Sequence, residues 1–198
     1  MAQLIETQNQ KNSNPEVRKL RLGPMVPKQK GFSLIELLIV VAIILIIAAI
    51  AIPNLLRAKI AANEASAVGS TRTIVTAEIS YSNSFQIGPA VLLSLATPAG
   101  GCPGTGAAVG AACLIDSNLA AGQKSGYLFS AVPNGGLGTA SSPNTGFEEN
   151  ATPITVGTTG QRAFCADMSG VLHFNTTGAP IGTGAGTCQG LGAAAVMQ

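Results

Sequence analysis

The sequence predicts an α+β protein in which a long N-terminal helix packs against a small antiparallel β-sheet. Two observations predict this fold. A continuous apolar run from Phe32 to Ile52 is followed by residues with helical spacing to about Asn83. Beyond residue 126, short segments rich in β-branched and aromatic residues alternate with turns of Gly, Pro, Asn and Ser.

Charge is scarce and unevenly divided along the chain. Only 10% of the 198 residues are charged, against roughly 25% in typical soluble domains. Residues 1–31 carry six basic and two acidic groups, net +4, whereas residues 32–198 carry five basic and seven acidic groups, net −2. The basic residues of this second part are widely separated: Arg57, Lys59, Arg72, Lys124 and Arg162. No specific nucleic-acid-binding face is therefore expected.

The apolar run, residues 32–52, contains only two polar residues, Ser33 and Glu36. As a helix rising about 1.5 Å per residue it is roughly 31 Å long, which matches a bilayer hydrocarbon core of about 30 Å. Lys28 and Lys30 directly precede it. The sequence thus predicts a transmembrane helix, and the positive-inside bias places its N-terminus in the cytoplasm and the rest of the chain on the exported side.

An ordinary secretory signal peptide is the alternative for this segment, because it also combines a basic start, an apolar run and small residues such as Ala49 and Ala51. Two features argue against it. The run is longer than the roughly 7 to 15 apolar residues of a signal peptide. A carboxylate at mid-membrane also costs roughly 2.5 to 3.5 kcal/mol. Glu36 lies nearer the interface, where the cost is smaller, but a plain signal peptide has no use for it.

The segment KGFSLIELLIVVAIILIIAAIAIPNL resembles the N-terminus of type IV pilins and the related pseudopilins. The matching features are Lys30 and Gly31 before a processing point, Phe32 as the first mature residue, Glu36 four residues later, the apolar run and Pro53. The resemblance implies cleavage between Gly31 and Phe32 by a prepilin peptidase on the cytoplasmic side. It also implies methylation of the new Phe32 amine and assembly into a helical filament.

The chemistry of Glu36 agrees with this implication. Cleavage after Gly31 creates an α-amine on Phe32, whose ordinary pKa of about 7.7 to 8 makes it mostly cationic at neutral pH. In surroundings of low dielectric constant, such a cation and a carboxylate lower each other's desolvation cost by pairing. The residues leave open whether the amine belongs to the same chain or to a neighbouring subunit, and the family resemblance favours the neighbour.

The predicted leader, residues 1–31, is long for a pilin that begins with phenylalanine. A start at Met25 would leave the seven residues MVPKQKG, which end at the same Gly31. Residues 1–24 show no membrane or core pattern. We interpret them either as an over-extended reading frame or as a disordered cytoplasmic tail that is removed with the leader.

Pro53 directly follows the apolar run and removes the backbone hydrogen bond to Ala49, so a kink is expected there rather than a helix end. The second half of the helix, residues 53–85, is amphipathic and has to bury its apolar stripe against another element. The residues predicted for this stripe recur at helical spacing: Leu56, Ile60, Ala67, Thr71, Val75 and Ile79. The polar side carries Arg57, Lys59, Asn63, Glu64 and Arg72.

Residues 127–198 supply the expected partner of that stripe, an antiparallel sheet of three or four strands. The predicted strands are Tyr127–Val132, Thr152–Thr158, Arg162–Ala166 and Val171–Asn175. The arrangement resembles the lollipop architecture of type IV pilins. Residues 86–126 and the segment after Phe174 are glycine-rich loops, in the positions of the variable regions that this family uses for subunit contacts and display.

All four cysteines, Cys102, Cys113, Cys165 and Cys188, lie on the predicted exported side, where small domains with few aromatic residues depend on disulfides. They form no CxxC pair and the chain has one histidine, so zinc is not expected. Three pairings are possible. We favour Cys102 with Cys113 and Cys165 with Cys188, because each bond then closes one glycine-rich loop. The second pair also resembles the family's C-terminal disulfide loop.

No catalytic constellation is evident, and we expect neither an enzyme nor a bound cofactor or metal. His173 and Asp167 could be combined with a serine into a triad, but a single histidine within a strand is typical of a sheet surface. Four acids could include calcium ligands, although their spacing does not select for the ion: Asp116, Glu148, Glu149 and Asp167.

The sequence therefore predicts a structural subunit that polymerises with copies of itself through residues 32–52. The precursor would reside in the bacterial inner membrane, and the pilus assembly machinery would build it into a filament on the cell surface for motility, adhesion or DNA uptake. Two alternatives stay open. One is a pseudopilin of a type II secretion system, and the other is a single-pass exported binding protein that never polymerises.

Overall fold

The computed structural model describes residues 31–98, 101–102, 107–182, 184–192 and 195–197. The predicted leader lies outside the described residues except for Gly31, as do Met25, Lys28 and Lys30. The chain divides into one unit that ends at Ile43 and a second unit from Ile44 to Gln198.

Helix α1 runs from Leu34 to Phe85, 52 residues, and so begins in the first unit and continues through the second. Pro53 lies inside it, and the helix does not end there. The expected kink at Pro53 stays a prediction. The helix ends where Gln86 adopts a left-handed backbone with φ of 57°. The prolines and glycines that follow cannot easily continue it.

The second unit contains a five-stranded antiparallel sheet in which the strands follow one another in chain order. The strands are β1 Gln123–Lys124, β2 Tyr127–Asn134, β3 Gly146–Pro153, β4 Ala163–Asp167 and β5 Leu172–Asn175. A short helix, α2, spans Ser117–Ala120, and 3₁₀ turns span Leu92–Leu95 and Gln189–Leu191. The predicted α+β class, a long N-terminal helix with a C-terminal antiparallel sheet, is confirmed.

The strand prediction was wrong at Thr152–Thr158. Strand β3 instead covers Gly146–Pro153, and the residues after Pro153 form turns. Three consecutive polar residues in β3 are buried: Glu148, Glu149 and Asn150. Their polarity made this segment resemble a turn, whereas the β-branched residues that follow resembled a strand.

The expected glycine-rich loop over residues 86–126 is more structured than predicted. It contains the first 3₁₀ turn, helix α2 and strand β1, so the sheet has five strands rather than three or four. Asp116 forms the N-cap of α2, where one carboxylate oxygen accepts the backbone N–H groups of Asn118 and Leu119 at 3.0 Å. Residues 99–100 and 103–106 of this loop lie outside the described residues.

The core lies between the second half of α1 and the inner face of the sheet. Strand β2 alternates regularly, with Tyr127, Phe129 and Ala131 buried and the residues between them exposed. Six of the nine side chains that α1 buries recur every three or four residues and define what we call the heptad seam: Glu64, Ala67, Thr71, Ile74, Glu78 and Tyr81. Every second member of this seam is polar.

The predicted stripe on α1 is therefore only partly correct. Ala67, Thr71 and Val75 are buried as predicted. Leu56 and Ile79 are exposed, so their assignment to the stripe was wrong. Glu64 was wrongly assigned to the polar side, because a buried carboxylate is tolerated where specific donors reach it.

The outer face of the sheet is partly covered by the C-terminal segment, residues 179–197. The amide nitrogen of Asn150 donates to the Gly182 carbonyl oxygen at 2.6 Å. His173 pairs with Val196, and the Met197 N–H donates to the Leu172 carbonyl oxygen at 2.9 Å. A segment that follows the last strand thus supplies partners to the Asn150 amide nitrogen and to the backbone of β5.

Candidate processing and assembly segment

The predicted cleavage point lies in the first unit, just before helix α1. Gly31, Phe32 and Ser33 have no regular secondary structure, and Phe32 is 91% exposed. A side chain at Gly31 would meet no atom within 4 Å. The peptide bond between Gly31 and Phe32 is therefore accessible in the described chain.

Glu36 contacts the start of its own helix. The Ser33 N–H donates to Glu36 Oε2 at 3.2 Å, and the Leu37 N–H donates to the Ser33 carbonyl oxygen, also at 3.2 Å. Ser33 therefore stands at the N-cap and Glu36 three residues later, which is the spacing of a capping box. Sequence reasoning missed this use of the Glu36 carboxylate, although Ser-x-x-Glu before an apolar run is its known signal.

Helix α1 is long and apolar enough over its N-terminal part to cross a membrane, and the side chains of its most apolar window are not buried within the structure. The large apolar side chains between Leu34 and Leu56 are exposed. In water, so many unburied apolar side chains are strongly unfavourable. This segment therefore requires lipid or other apolar helices around it.

In the second unit, Glu64 joins the helix to the connection between β3 and β4. Its Oε1 accepts the backbone N–H groups of Gln161 and Arg162, at 2.9 and 3.1 Å. Its Oε2 accepts the Arg162 guanidinium through Nε and Nη2, at 3.0 and 2.7 Å. The guanidinium also lies 5.6 Å and 5.5 Å from the ring centres of Phe164 and Phe174. This cluster holds the helix against the sheet.

Two other carboxyl groups are buried in the same core. Glu78 accepts the Ala90 N–H at 2.9 Å, and burial raises its pKa to about 7, although that N–H works in the opposite direction. Glu149 accepts the Thr71 hydroxyl at 3.3 Å, and complete burial raises its pKa well above the usual range. One oxygen of each carboxyl has no hydrogen-bond partner within the described residues. Burial therefore shifts both groups towards the neutral form, and Glu78 loses its proton as the pH rises through about 7.

Glu148 faces the opposite side of the sheet from Glu149. It accepts the Gly186 and Cys188 N–H groups, at 2.6 and 3.3 Å, and so holds the C-terminal segment. Burial raises its pKa, while these N–H groups lower it. A disulfide between Cys165 of β4 and Cys188 fastens the same segment. A second disulfide joins Cys102 to Cys113.

The residues considered for catalysis or metal binding are not brought together. His173 pairs across the sheet with Cys165, whereas Asp167 accepts the Ser169 N–H and hydroxyl. Asp116 caps α2, and Glu148 and Glu149 lie on opposite faces of β3. Over the described part of the chain, no group of three or more His, Cys, Asp or Glu residues is placed to hold a metal ion.

Comparison with known proteins matches the N-terminal segment. A family model described as "Prokaryotic N-terminal methylation motif" matches residues 26–52. The chain is 42% identical over 62 residues to the type IV major pilin protein PilA of Myxococcus xanthus, covering 31% of this chain and 28% of that protein. It is 46% identical over 76 residues to the type IV wide pilus major component PilA4 of Thermus thermophilus, covering 35% of this chain and 58% of that protein.

The matched regions thus span less than two thirds of the length of these relatives. No solved structure matches the chain. The exposed apolar helix, the accessible Gly31–Phe32 bond and Glu36 all fall within the matched region. The chain therefore carries the N-terminal methylation motif of prokaryotic prepilins and is similar, in its N-terminal part, to type IV major pilins.

Proposed function

We propose that this chain is the structural subunit of a type IV pilus. The observation that carries the proposal is the first half of α1, whose apolar side chains are unburied and directly follow the accessible Gly31–Phe32 bond. Lipid can cover these side chains in the membrane-resident precursor. In a filament, the same surface would be covered by the helices of other copies, so the subunit can leave the bilayer without exposing it to water.

Processing would begin with cleavage of the Gly31–Phe32 peptide bond by a prepilin peptidase at the cytoplasmic face of the inner membrane. Phe32 then carries a free α-amine, which is methylated. The Ser33 N–H already occupies one oxygen of Glu36 at 3.2 Å. The other oxygen is left to accept a cationic amine, and we assign that role to the Phe32 amine of a neighbouring copy.

Subunits would then be added by the pilus assembly machinery to a homopolymeric helical filament that extends from the cell surface. The residues of the second unit that face outward would determine whether the filament serves motility, adhesion or DNA uptake. In this proposal the protein is structural rather than catalytic.

The first test is N-terminal analysis of the mature protein, combined with electron microscopy of filaments sheared from cells that express it. We expect N-methylated Phe32 as the first residue and long fibres that bind antibody to residues 107–182. A mature protein that begins near Ile52 would contradict the proposal, since the apolar segment would then have been removed as a signal peptide. Short periplasmic structures without surface fibres would indicate a secretion pseudopilin.

The second test is the Glu36→Gln variant, with Ser33→Ala as its matched control. If Glu36 pairs with a neighbouring amine, Glu36→Gln should be processed and remain in the membrane but form few or no filaments, because the anion is lost. Ser33→Ala keeps both the backbone N–H and the carboxylate, so it should still assemble. Normal filament numbers in Glu36→Gln would refute the charge-pairing role.

A further inference from the structure

Two exposed cations follow the unburied apolar part of α1. Leu55 and Leu56 are the last large apolar side chains of this part, and Arg57 and Lys59 come next on the same helix. All four side chains are exposed. The change from apolar to cationic side chains therefore occurs within a few residues, inside the second unit.

Neither cation has an ionic partner among the residues that the structure describes. The ion pairs found there are Arg162 with Glu64, at 2.7 Å, and Lys124 with Asp116, at 4.0 Å. Glu64 is the nearest acid in sequence, but both of its oxygens are already occupied. Both cations are thus available to an anionic partner from outside the fold.

The helix rise places these cations beside the expected membrane boundary. Arg57 and Lys59 lie about 7.5 and 10.5 Å along the helix from Ile52. The headgroup layer on each side of the hydrocarbon core is about 5 to 8 Å thick. Long side chains can reach back along the helix to that layer while their apolar stems cover neighbouring apolar surface.

The two side chains also point in different directions. Two residues correspond to a rotation of about 200° around a helix. Arg57 and Lys59 would therefore contact different lipid molecules on opposite sides of the helix. Neither cation lines any of the main cavities of the described residues. A single phosphate ion in solution is therefore a poor candidate for a partner, whereas a surface with many phosphates is a good one.

We propose that Arg57 and Lys59 bind the phosphate groups of anionic phospholipids on the exported face of the membrane. These contacts would fix the depth of the membrane-resident subunit and would be given up when it enters a filament. Cations close to the exported end of a membrane helix act against the positive-inside rule. Binding to lipid headgroups would explain why this helix carries two of them there. The headgroup contacts rest on the proposed function only in requiring that the chain spans a membrane, and their loss on assembly rests on the proposed filament as well.

The test uses the full chain reconstituted in phosphatidylcholine vesicles that contain a trace of spin-labelled lipid. Electron paramagnetic resonance measures how strongly labelled phosphatidylglycerol and labelled phosphatidylcholine associate with the protein. The variant is Arg57→Gln with Lys59→Gln, and the control is Arg72→Gln, an exposed cation of the same helix about 20 Å further along. The leader cations are common to all three proteins, so their contribution cancels.

We expect the unaltered protein to prefer phosphatidylglycerol by up to about fivefold per cation at low salt. The preference should fall in the double variant, persist in Arg72→Gln and weaken in 1 M salt. Free inorganic phosphate at millimolar concentration should not reduce it beyond its effect on ionic strength. An equal preference in the unaltered protein and the double variant would overturn the inference, as would an equal loss in Arg72→Gln.

An alkaline wash of the same vesicles separates this inference from the proposed function. One outcome is that the protein stays in the vesicles while the unaltered protein and the double variant show the same preference for phosphatidylglycerol. In that case the headgroup contacts are absent, but the protein is still anchored in the membrane. If the protein is washed off, it does not span the bilayer. Both the inference and the membrane-resident stage of the proposed function then fail.

Discussion

The two halves of helix α1 place their side chains in opposite ways. The first half leaves large apolar side chains such as Ile43 exposed, whereas the second half buries polar ones. In the heptad seam, the polar positions Glu64, Thr71 and Glu78 are seven residues apart and alternate with apolar positions. Polarity alone therefore does not say which residues of this helix are buried.

The difference shows that a polar side chain of this helix is buried where a specific hydrogen-bond or ionic partner reaches it. Each polar member of the heptad seam finds a specific group: Arg162 for Glu64, Glu149 for Thr71 and the Ala90 N–H for Glu78. The large apolar side chains of the first half are not covered by any of the described residues, so their partners have to come from elsewhere. The second half is thus specified by contacts within the protein, whereas the apolar surface of the first half is left open to an apolar partner.

The largest effect is expected from Glu64→Ala, which removes the strongest polar contact of the second half. Breaking a buried ion pair costs about 3 to 5 kcal/mol, and because Arg162 keeps some contact with water we expect about 3 kcal/mol. The free energy of unfolding, measured by urea denaturation in detergent with the disulfides intact, should fall by this amount.

Lys124→Ala is the matched control for Glu64→Ala, because it breaks the exposed pair with Asp116 at 4.0 Å. Exposed pairs contribute at most about 1 kcal/mol. If both variants lost the same stability, burial of Glu64 would not explain its contribution.

A comparable effect of a different kind is expected when a charge is placed in the first half. Ile43→Asp should reduce membrane insertion by about 3 kcal/mol, while the free energy of unfolding of the second unit stays unchanged. The fraction resistant to alkaline extraction measures insertion. Ile79→Asp, at an exposed apolar position of the second half, should insert normally, and a loss there would mean that the two halves are not distinct in this respect.

The next effect concerns pH and Glu78, whose pKa is raised by burial from 4.5 to about 7. The folded state holds this proton more tightly than the unfolded state, so the stabilisation is complete below pH 4.5 and is lost as the pH rises through 7. Unfolding free energy should drop between pH 5 and pH 8 by on the order of 2 to 3 kcal/mol. Glu149, raised in the same direction, adds to this trend.

Glu78→Gln should remove most of the Glu78 contribution, because an amide does not titrate. Denaturation curves of both proteins at pH 5 and pH 8 measure the difference. An unchanged pH dependence in Glu78→Gln would show that another group is responsible.

The smallest effect is expected from Thr71→Val, which keeps the side-chain shape but removes the hydroxyl that donates to Glu149. The loss of this hydrogen bond should cost about 1 kcal/mol. In a Glu149→Leu background the same substitution should cost nearly nothing, because the acceptor is absent. Equal costs in both backgrounds would mean that the hydroxyl acts elsewhere.

The first half of α1 could be predicted from the sequence because its signal is local. An apolar run, a glycine before it and one acid in a fixed order lie within about thirty residues. The capping contact of Ser33 could also have been found, since Ser and Glu stand at capping-box spacing. What the sequence could not supply is the partner that covers this surface.

The burial of polar side chains in the second half could not be predicted, because their hydrogen-bond partners are distant in the sequence. Glu64 meets Arg162, 98 residues away, and Thr71 meets Glu149, 78 residues away. For the same reason the predicted position of strand β3 was wrong. Glu148 is covered by the C-terminal segment and Glu149 by helix α1, and neither is adjacent to β3 in the chain. Strand β2, by contrast, has a local signal, and its prediction over Tyr127–Val132 is confirmed.

The outer face of the sheet can be completed only after the C-terminal segment is present. The side chains of Glu148, Asn150 and Cys165 contact Gly182, Gly186 and Cys188, and the Leu172 carbonyl oxygen accepts the Met197 N–H. In a chain that emerges N-terminus first, these groups wait for the C-terminal segment, and Cys165 cannot yet bond to Cys188. In the proposed function, export would therefore deliver a sheet whose outer face is incomplete, and the disulfide would close it only after the C-terminal segment has followed.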